Sequence, residues 1–306
     1  MRDYFEELKD VEFPSNTFDE LLVLRCIKDL KLNKSCGIDG ILNKMFKFGV
    51  CNSLLSLLTL FFNSIISCGH FPAGFNTSLL KPIPKKQQIA TPSDYRPISI
   101  SITFSTIFEA LLISKMDIIT RTDSNQFGYK RFTSCKSAYF VVNEAIHYYR
   151  HGNSPCHVVS LDAAKAFDKL WRSGLFYKLK HKIEPHLWRA LVAYFSDSST
   201  VVSVNGVRSQ SFKTTEGVKQ GGVISPHLFN FFINGLVTEI KSMNVGALLG
   251  DLNVSIVAYC DDIILVSSSV KHMRMMLESC ERYAGDWKLE YNPLKSVAYS
   301  YILVAI

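Results

Sequence analysis

The sequence predicts an α+β fold in which an antiparallel sheet is backed by helices, and three observations carry that expectation. The first seventy or so residues space their apolar side chains as helices do. Prolines at 72, 82, 84, 92 and 97 then exclude helices and leave extended strands and loops. From His157 onward, short β-branched runs alternate with helical segments. Two of these runs flank the adjacent acids Asp261 and Asp262 as a tight strand pair, Ser255 to Ser267.

In chain order, helical spacing first covers about Asp3 to Lys9. Thr17-Phe-Asp-Glu20 has the form of a capping box, so a second helix starts there and runs to about Leu32. Two glycines in Lys34-Ser-Cys-Gly-Ile-Asp-Gly40 interrupt the pattern. A longer helix follows from Asn43 to Cys68 and ends at Gly69. Its most apolar part, Leu54 to Ile66, includes Ser56, Thr59, Asn63 and Ser64 and is too short to span a bilayer, so it reads as a buried helix. Ser99 to Ile119 reads as loop then helix, and Ser134 to Tyr149 as another helix. His157 to Leu161 is a short strand with Asp162 at its end and helix from Ala163 onward. Thr200 to Val207 is a strand turning at Asn205-Gly206, a dipeptide suited to a two-residue hairpin. Pro226 to Lys241 is helical, apolar at Leu228, Phe229, Phe232, Ile233 and Leu236. A helix from Lys271 to Trp287 and two strands follow, and the chain closes on the apolar run Tyr301 to Ile306.

Of the 306 residues, 47% are hydrophobic and 20% charged, the balance of a folded chain and not of a disordered one. The net charge of +7 permits a polyanionic partner such as nucleic acid without requiring one. None of the eight cysteines is spaced as Cys-x-x-Cys or accompanied by a histidine pair. That argues against structural zinc and for free thiols in a reducing, intracellular compartment. Met1-Arg-Asp-Tyr-Phe-Glu-Glu7 begins acidic, so no secretory leader is expected. No basic cluster chooses between nucleus and cytoplasm.

Asp162 at one strand end and Asp261 with Asp262 at the turn of another strand pair could share one sheet edge. Three such carboxylates are hard oxygen donors suited to Mg²⁺, and a pair of ions can activate a hydroxyl and stabilise a leaving pyrophosphate. Read alone, Asp162 is better taken as a helix N-cap ahead of Ala163, and Asp261-Asp262 is equally a solvated turn.

Further segments bear on that choice. Asp162-Ala-Ala-Lys-Ala-Phe-Asp168, Gly217-Val-Lys-Gln-Gly-Gly-Val-Ile-Ser-Pro226 with Leu228-Phe-Asn230, and Tyr259-Cys-Asp-Asp262 stand in the order and spacing of reverse transcriptases. Leu80-Lys-Pro-Ile-Pro-Lys85, Asp94-Tyr-Arg-Pro-Ile-Ser99, Asn125-Gln-Phe-Gly-Tyr-Lys130 and Asn292-Pro-Leu-Lys295 extend the match. Over about residues 30 to 300 the chain resembles most the non-LTR (LINE-like) retrotransposon enzymes.

The resemblance implies a right-hand polymerase with fingers and palm. Residues 1–75 would be a helical extension joining the fingers, and 76–306 a reverse transcriptase domain truncated before the thumb, which does not fit after Lys295. It implies an RNA-directed DNA polymerase that adds deoxynucleotides to a primer 3′-OH on an RNA template. Two Mg²⁺ ions, with Mn²⁺ as a substitute, would sit on Asp162, Asp261 and the less essential Asp262. Lys295 would protonate the leaving pyrophosphate. Lys85 and Arg96 would clamp the triphosphate, Phe167 would pack under the sugar and reject a 2′-OH, and Gln220 would touch nucleotide or template. Without the resemblance, Phe167 reads as core, Gln220 as an exposed residue of a glycine turn, and the three basic residues as solvated surface. Lys219, Gly222 and Cys260 depart from the common pattern, each with a residue that suits a flexible or tight turn. Two other readings stay open: another palm polymerase, such as a group II intron maturase or an RNA-dependent RNA polymerase, and, in a different class, an inactive remnant that only binds nucleic acid. No membrane partner is expected, and no protein partner is predicted.

Overall fold

The computed structural model describes Tyr4, Leu8, residues 13–88 and residues 90–301. The helix expected over Asp3–Lys9 and the terminal run Tyr301–Ile306 therefore lie outside the described residues, save Tyr4, Leu8 and Tyr301. In chain order come α1 (Glu20–Lys28), α2 (Asn43–Gly49), α3 (Asn52–Cys68), β1 (Thr77–Pro84), β2 (Tyr95–Ile100) and α4 (Thr103–Lys115). Next are α5 (Asp117–Thr120), α6 (Cys135–His151), β3 (Cys156–Asp162) and α7 (Ala166–Lys169). Then follow α8 (Arg172–Leu179), α9 (Pro185–Ser196), β4 (Ser199–Val204), β5 (Val207–Arg208) and β6 (Phe212–Lys213). The last stretch holds α10 (Ser225–Ser242), β7 (Leu248–Leu249), β8 (Leu252–Asn253), β9 (Ile256–Tyr259), β10 (Asp262–Ser267), α11 (Val270–Trp287) and β11 (Val297–Tyr301). The chain divides into two compact units, Met1–Asp117 with Arg172–Ser225, and Ile118–Trp171 with Pro226–Ile306.

In the first unit, the helix expected from Thr17 begins later. Asp19 is the N-cap, its carboxylate accepting from the Leu22 amide at 2.7 Å. Asn63 explains the shift, because its side chain bonds both the amide and the carbonyl of Phe18, at 2.9 and 2.8 Å, and so commits them outside the helix. The single helix expected over Asn43–Cys68 is two, separated by extended Val50 and Cys51. Gly69 ends α3 as expected, at φ 70°. Leu58, Phe62, Ile65 and Ile66 form the buried face of α3, while Leu57 and Leu60 are exposed, so the helix is amphipathic and not buried all round. Phe71, Phe75 and Tyr194 pack around Phe108, which stacks on Phe62, to make the aromatic centre of this unit.

The proline-rich stretch becomes β1 and β2, antiparallel, with Pro82 opposite Pro97. The Ser99 amide points outward to the Gln220 carbonyl at 2.7 Å. Pro97, two residues earlier, therefore has its missing N–H on the same outer edge, and no ladder bond is lost. The sheet order is β2-β1-β4-β5, with β6 also on β4 and the β1–β4 pair parallel. Asn205 and Gly206, at φ 50° and 85°, close the expected two-residue hairpin between β4 and β5.

The second unit is built on an antiparallel sheet of order β11-β3-β10-β9. Val158, Val257 and Val266 pack with Val142 and Ala145 of α6 in its core. All five apolar positions expected on α10 are buried. Of the two strands expected after α11, one is β11, and the other is reduced to a single bridge between Tyr291 and Ala163. That bridge also displaces the helix expected at Ala163. The helical turn starts at Ala166, after Lys165 at φ 50°. All eight cysteines are free thiols, and no described helix is long and apolar enough to cross a membrane.

Candidate active site

Strand register assembles the acids. β3 ends on Asp162 and β10 starts on Asp262, and the two are direct cross-strand partners. Side chains of directly opposed residues share a face of the sheet. Asp261 precedes Asp262 in the two-residue turn that joins Tyr259 to its partner Asp262. Asp162 is thus a strand residue and not a helix cap. Its carbonyl accepts from the Asn292 amide at 2.8 Å, and its own amide donates to Ser296 Oγ at 3.4 Å. The segment between these anchors carries Lys295, whose Nζ lies 3.2 Å from each carboxylate oxygen of Asp162.

Burial, reinforced by the neighbouring carboxylates, holds the pKa of Asp261 above the ordinary carboxylate value. Asp262 shifts the same way for the same reasons although its residue surface is largely open, and Lys295 offsets part of both shifts. The donor chemistry fits a hard divalent cation, since carboxylates that repel one another are stabilised by a shared positive charge. Among the described residues, no three His, Cys, Asp or Glu side chains converge closely enough to form a ready-made cage. The charge on Asp162 is met by the Lys295 ammonium.

Residues without an assigned role in the sequence reading hold the acidic turn in place. Cys260 adopts φ 55°, a backbone region that costs an L side chain about 1–2 kcal/mol. Gln126 Oε1 accepts from the Cys260 amide and from the Gly128 amide, each at 2.9 Å. Asn230 Nδ2 donates to the Gly128 carbonyl at 2.7 Å, and Asn230 Oδ1 accepts from the Cys260 thiol at 3.2 Å. Gly128 is required here, because a Cβ would stand 2.7 Å from the Cys260 nitrogen. Burial and the two acids push the Cys260 thiol up to about 12, which keeps it protonated as the donor. Gln126 and Asn230 belong to motifs visible in the sequence, but only the fold shows what they touch.

Phe167 lies on α7 and stacks on buried Phe229, with ring centroids 5.3 Å apart and planes 22° apart. It is half-buried, so part of the ring faces outward.

Lys85, Arg96 and Gln220 belong to the other unit. Lys85 is exposed just beyond β1, its amide on the Asp94 carbonyl at 2.8 Å and its Nζ 3.0 Å from the Ser93 carbonyl. Asp94 organises this loop by accepting from the Ala90 and Thr91 amides and pairing with Lys86 at 2.8 Å, contacts that hold its pKa well below the usual range. Arg96 is exposed on β2. Gln220 is half-buried beside Gly221, which at φ 112° approaches the Ser99 carbonyl too closely for any Cβ. Lys219 corrects the expectation of a flexible turn. Its ammonium donates to Asn76 Oδ1, lies 3.4 Å from both Ser101 Oγ and Tyr194 Oη, and is lowered to about 8 by burial.

A family model described as reverse transcriptase (RNA-dependent DNA polymerase) matches residues 83–302, more than two thirds of the chain. The RNA-directed DNA polymerase from mobile element jockey of Drosophila melanogaster is 25% identical, over 96% of this chain and 33% of its own length. The probable RNA-directed DNA polymerase from transposon BS of the same species is 27% identical, over 90% of this chain and 31% of its own. The retrovirus-related Pol polyprotein from its type-2 retrotransposable element R2DM is 27% identical, over 81% and 23%. The chain therefore spans a third or less of the length of these relatives. Among solved structures, apo telomerase from Candida tropicalis truncated from its C-terminal domain gives a TM-score of 0.55 at 12% identity, covering 78% of this chain and 52% of that one. Apo telomerase from the same organism gives 0.53 at 12% identity, covering 81% and 49%. At such identity the likeness is one of fold, the fingers and palm of a polymerase.

Proposed function

The chain belongs to the reverse transcriptase (RNA-dependent DNA polymerase) family, and from that premise we propose that it is the fingers-and-palm part of an RNA-directed DNA polymerase from a LINE-like retrotransposon. The observation that carries the reading is the pairing of Asp162 with Asp262 in register, with Asp261 beside them and Lys295 on Asp162. Its substrates are deoxynucleoside triphosphates and a DNA primer annealed to an RNA template, within the cell. The primer 3′-oxygen forms a bond to the α-phosphorus, the bond from that phosphorus to the bridging oxygen breaks, and pyrophosphate leaves.

Asp162, Asp261 and Asp262 are the residues that would hold two Mg²⁺ ions, or Mn²⁺, which when bound lower the pKa of the attacking hydroxyl and neutralise charge on the triphosphate. Lys295 carries a proton at Nζ that can pass to the leaving pyrophosphate. We assign Lys85 and Arg96 to the triphosphate oxygens, and Gln220 to the nucleotide or template. We assign the outward part of Phe167 to exclusion of a 2′-OH. Its stacking on Phe229 supports that role, because a sugar-rejecting ring must not yield. Primer extension on an RNA template tests the reading. The wild-type chain should extend the primer and Asp261→Asn should not; equal product from both would remove the site assigned here.

A further inference from the structure

The segment that leads away from the acidic turn is built to display aromatic rings. Gly128 packs its backbone against Cys260, and the next four residues, Tyr129 to Phe132, form a loop in which both aromatic residues have positive φ, 54° and 62°. For a bulky L side chain that conformation is a genuine outlier and persists only where the surroundings impose it.

Here they do. Asn230 holds the Gly128 carbonyl at 2.7 Å. Lys130 turns inward, its Nζ donating to the Thr122 carbonyl at 2.8 Å and also to the Asp123 carbonyl. Thr133 Oγ1 closes the far end on the Phe127 and Lys130 carbonyls at 2.7 and 3.2 Å. The result is a braced loop whose exposed side chains are Tyr129, Arg131 and Phe132. Tyr129 is 60% exposed and Phe132 103%. Neither ring is there to fill a core, since a fully exposed phenylalanine gains nothing from burial.

We infer that Tyr129, Arg131 and Phe132 form a stacking platform for unpaired bases of the template strand beside the polymerising site. The inference rests on the polymerase reading above for the identity of the strand. Aromatic faces accept any base, guanidinium groups neutralise phosphate and stack as well, and a preformed loop loses little conformational freedom on binding. Such a surface favours single-stranded over fully paired nucleic acid, because only unpaired bases offer a free face.

Fluorescence anisotropy without nucleotide tests this with two probes, a DNA primer on an RNA template with a 5′ template overhang and the same duplex made blunt. Phe132→Ala should weaken binding of the overhang probe about tenfold and leave the blunt probe within about twofold. Phe132→Trp should restore binding and Phe132→Leu should not. Phe132→Ala should also leave the slope of log K against log salt unchanged, whereas Arg131→Ala should reduce it by about one. Phe132→Gly should bind as poorly as Phe132→Ala and yet melt about 2–4 °C higher, because glycine is at home at that φ. Wild-type affinity in Phe132→Ala, equal losses on both probes, or full rescue by leucine would overturn the platform. Such results alongside normal primer extension would leave the polymerase reading intact. Phe132-dependent binding without any extension would remove that reading and keep the platform.

Discussion

Cys260 shows how one residue can combine strain and chemistry. Its φ of 55° aims the turn between β9 and β10, and its thiol, kept protonated by burial, anchors that turn to Asn230. Asp261 beside it has a pKa raised by burial and by its acidic neighbours. The folded chain therefore binds this proton more tightly than the unfolded chain does. Its contribution to stability is present below the ordinary value of 3.8 and is lost as pH rises through the raised one. Asp261→Asn should accordingly melt higher than wild type at pH 7–8 in chelator, and the gain should vanish below about pH 4. A flat difference across that range would show that the carboxylate is not electrostatically stressed. Phe167 is checked through sugar selectivity. Phe167→Val should admit ribonucleotides, read as a fall in the deoxy-to-ribo ratio of kcat/KM, and an unchanged ratio would return Phe167 to the role of core packing on Phe229.

At the scale of elements, the β3–β10 register decides which carboxylates can cooperate, and the segment Asn125–Gly128 decides how firmly they are held. Gln126→Ala would leave two buried amides without an acceptor, at a cost of about 1–3 kcal/mol each. The expected outcome is a lower melting temperature and a kcat reduced at least tenfold, with the nucleotide KM within about twofold. Gly128→Ala should have the same signature through a clash with the Cys260 nitrogen. At the other end of the chain, Asp19→Ala should cost about 1 kcal/mol as a lost cap, while Thr17→Ala should not. Thr17 Oγ1 is buried without a hydrogen-bond partner, so removing its hydroxyl relieves an unsatisfied group. Chemical denaturation of the two variants separates these outcomes.

For the whole molecule, the +7 charge predicts that template–primer binding weakens steeply with ionic strength. A log–log salt slope near zero would argue against phosphate contacts. The sequence by itself determined the types of most elements, the Asn205-Gly206 hairpin, the buried face of α10 and the ordered motifs that carry Asp162, Asp261, Asp262 and Lys295. Each of these is written in local periodicity, turn chemistry or the residue types of a short motif. Only the tertiary structure decided that Asp162 is a strand partner of Asp262 and not a cap, that Asp19 replaces Thr17, and that Lys219 anchors its turn. It alone revealed that Gln126 and Asn230 brace Cys260 and that Phe132 is held outward. Most of those facts depend on contacts between residues tens to more than a hundred positions apart, as with Gln126 and Cys260, Asn76 and Lys219, or Asn230 and Gly128 at the base of the Phe132 loop. Local spacing carries no record of such distances, because they are set by how sheets register and helices pack.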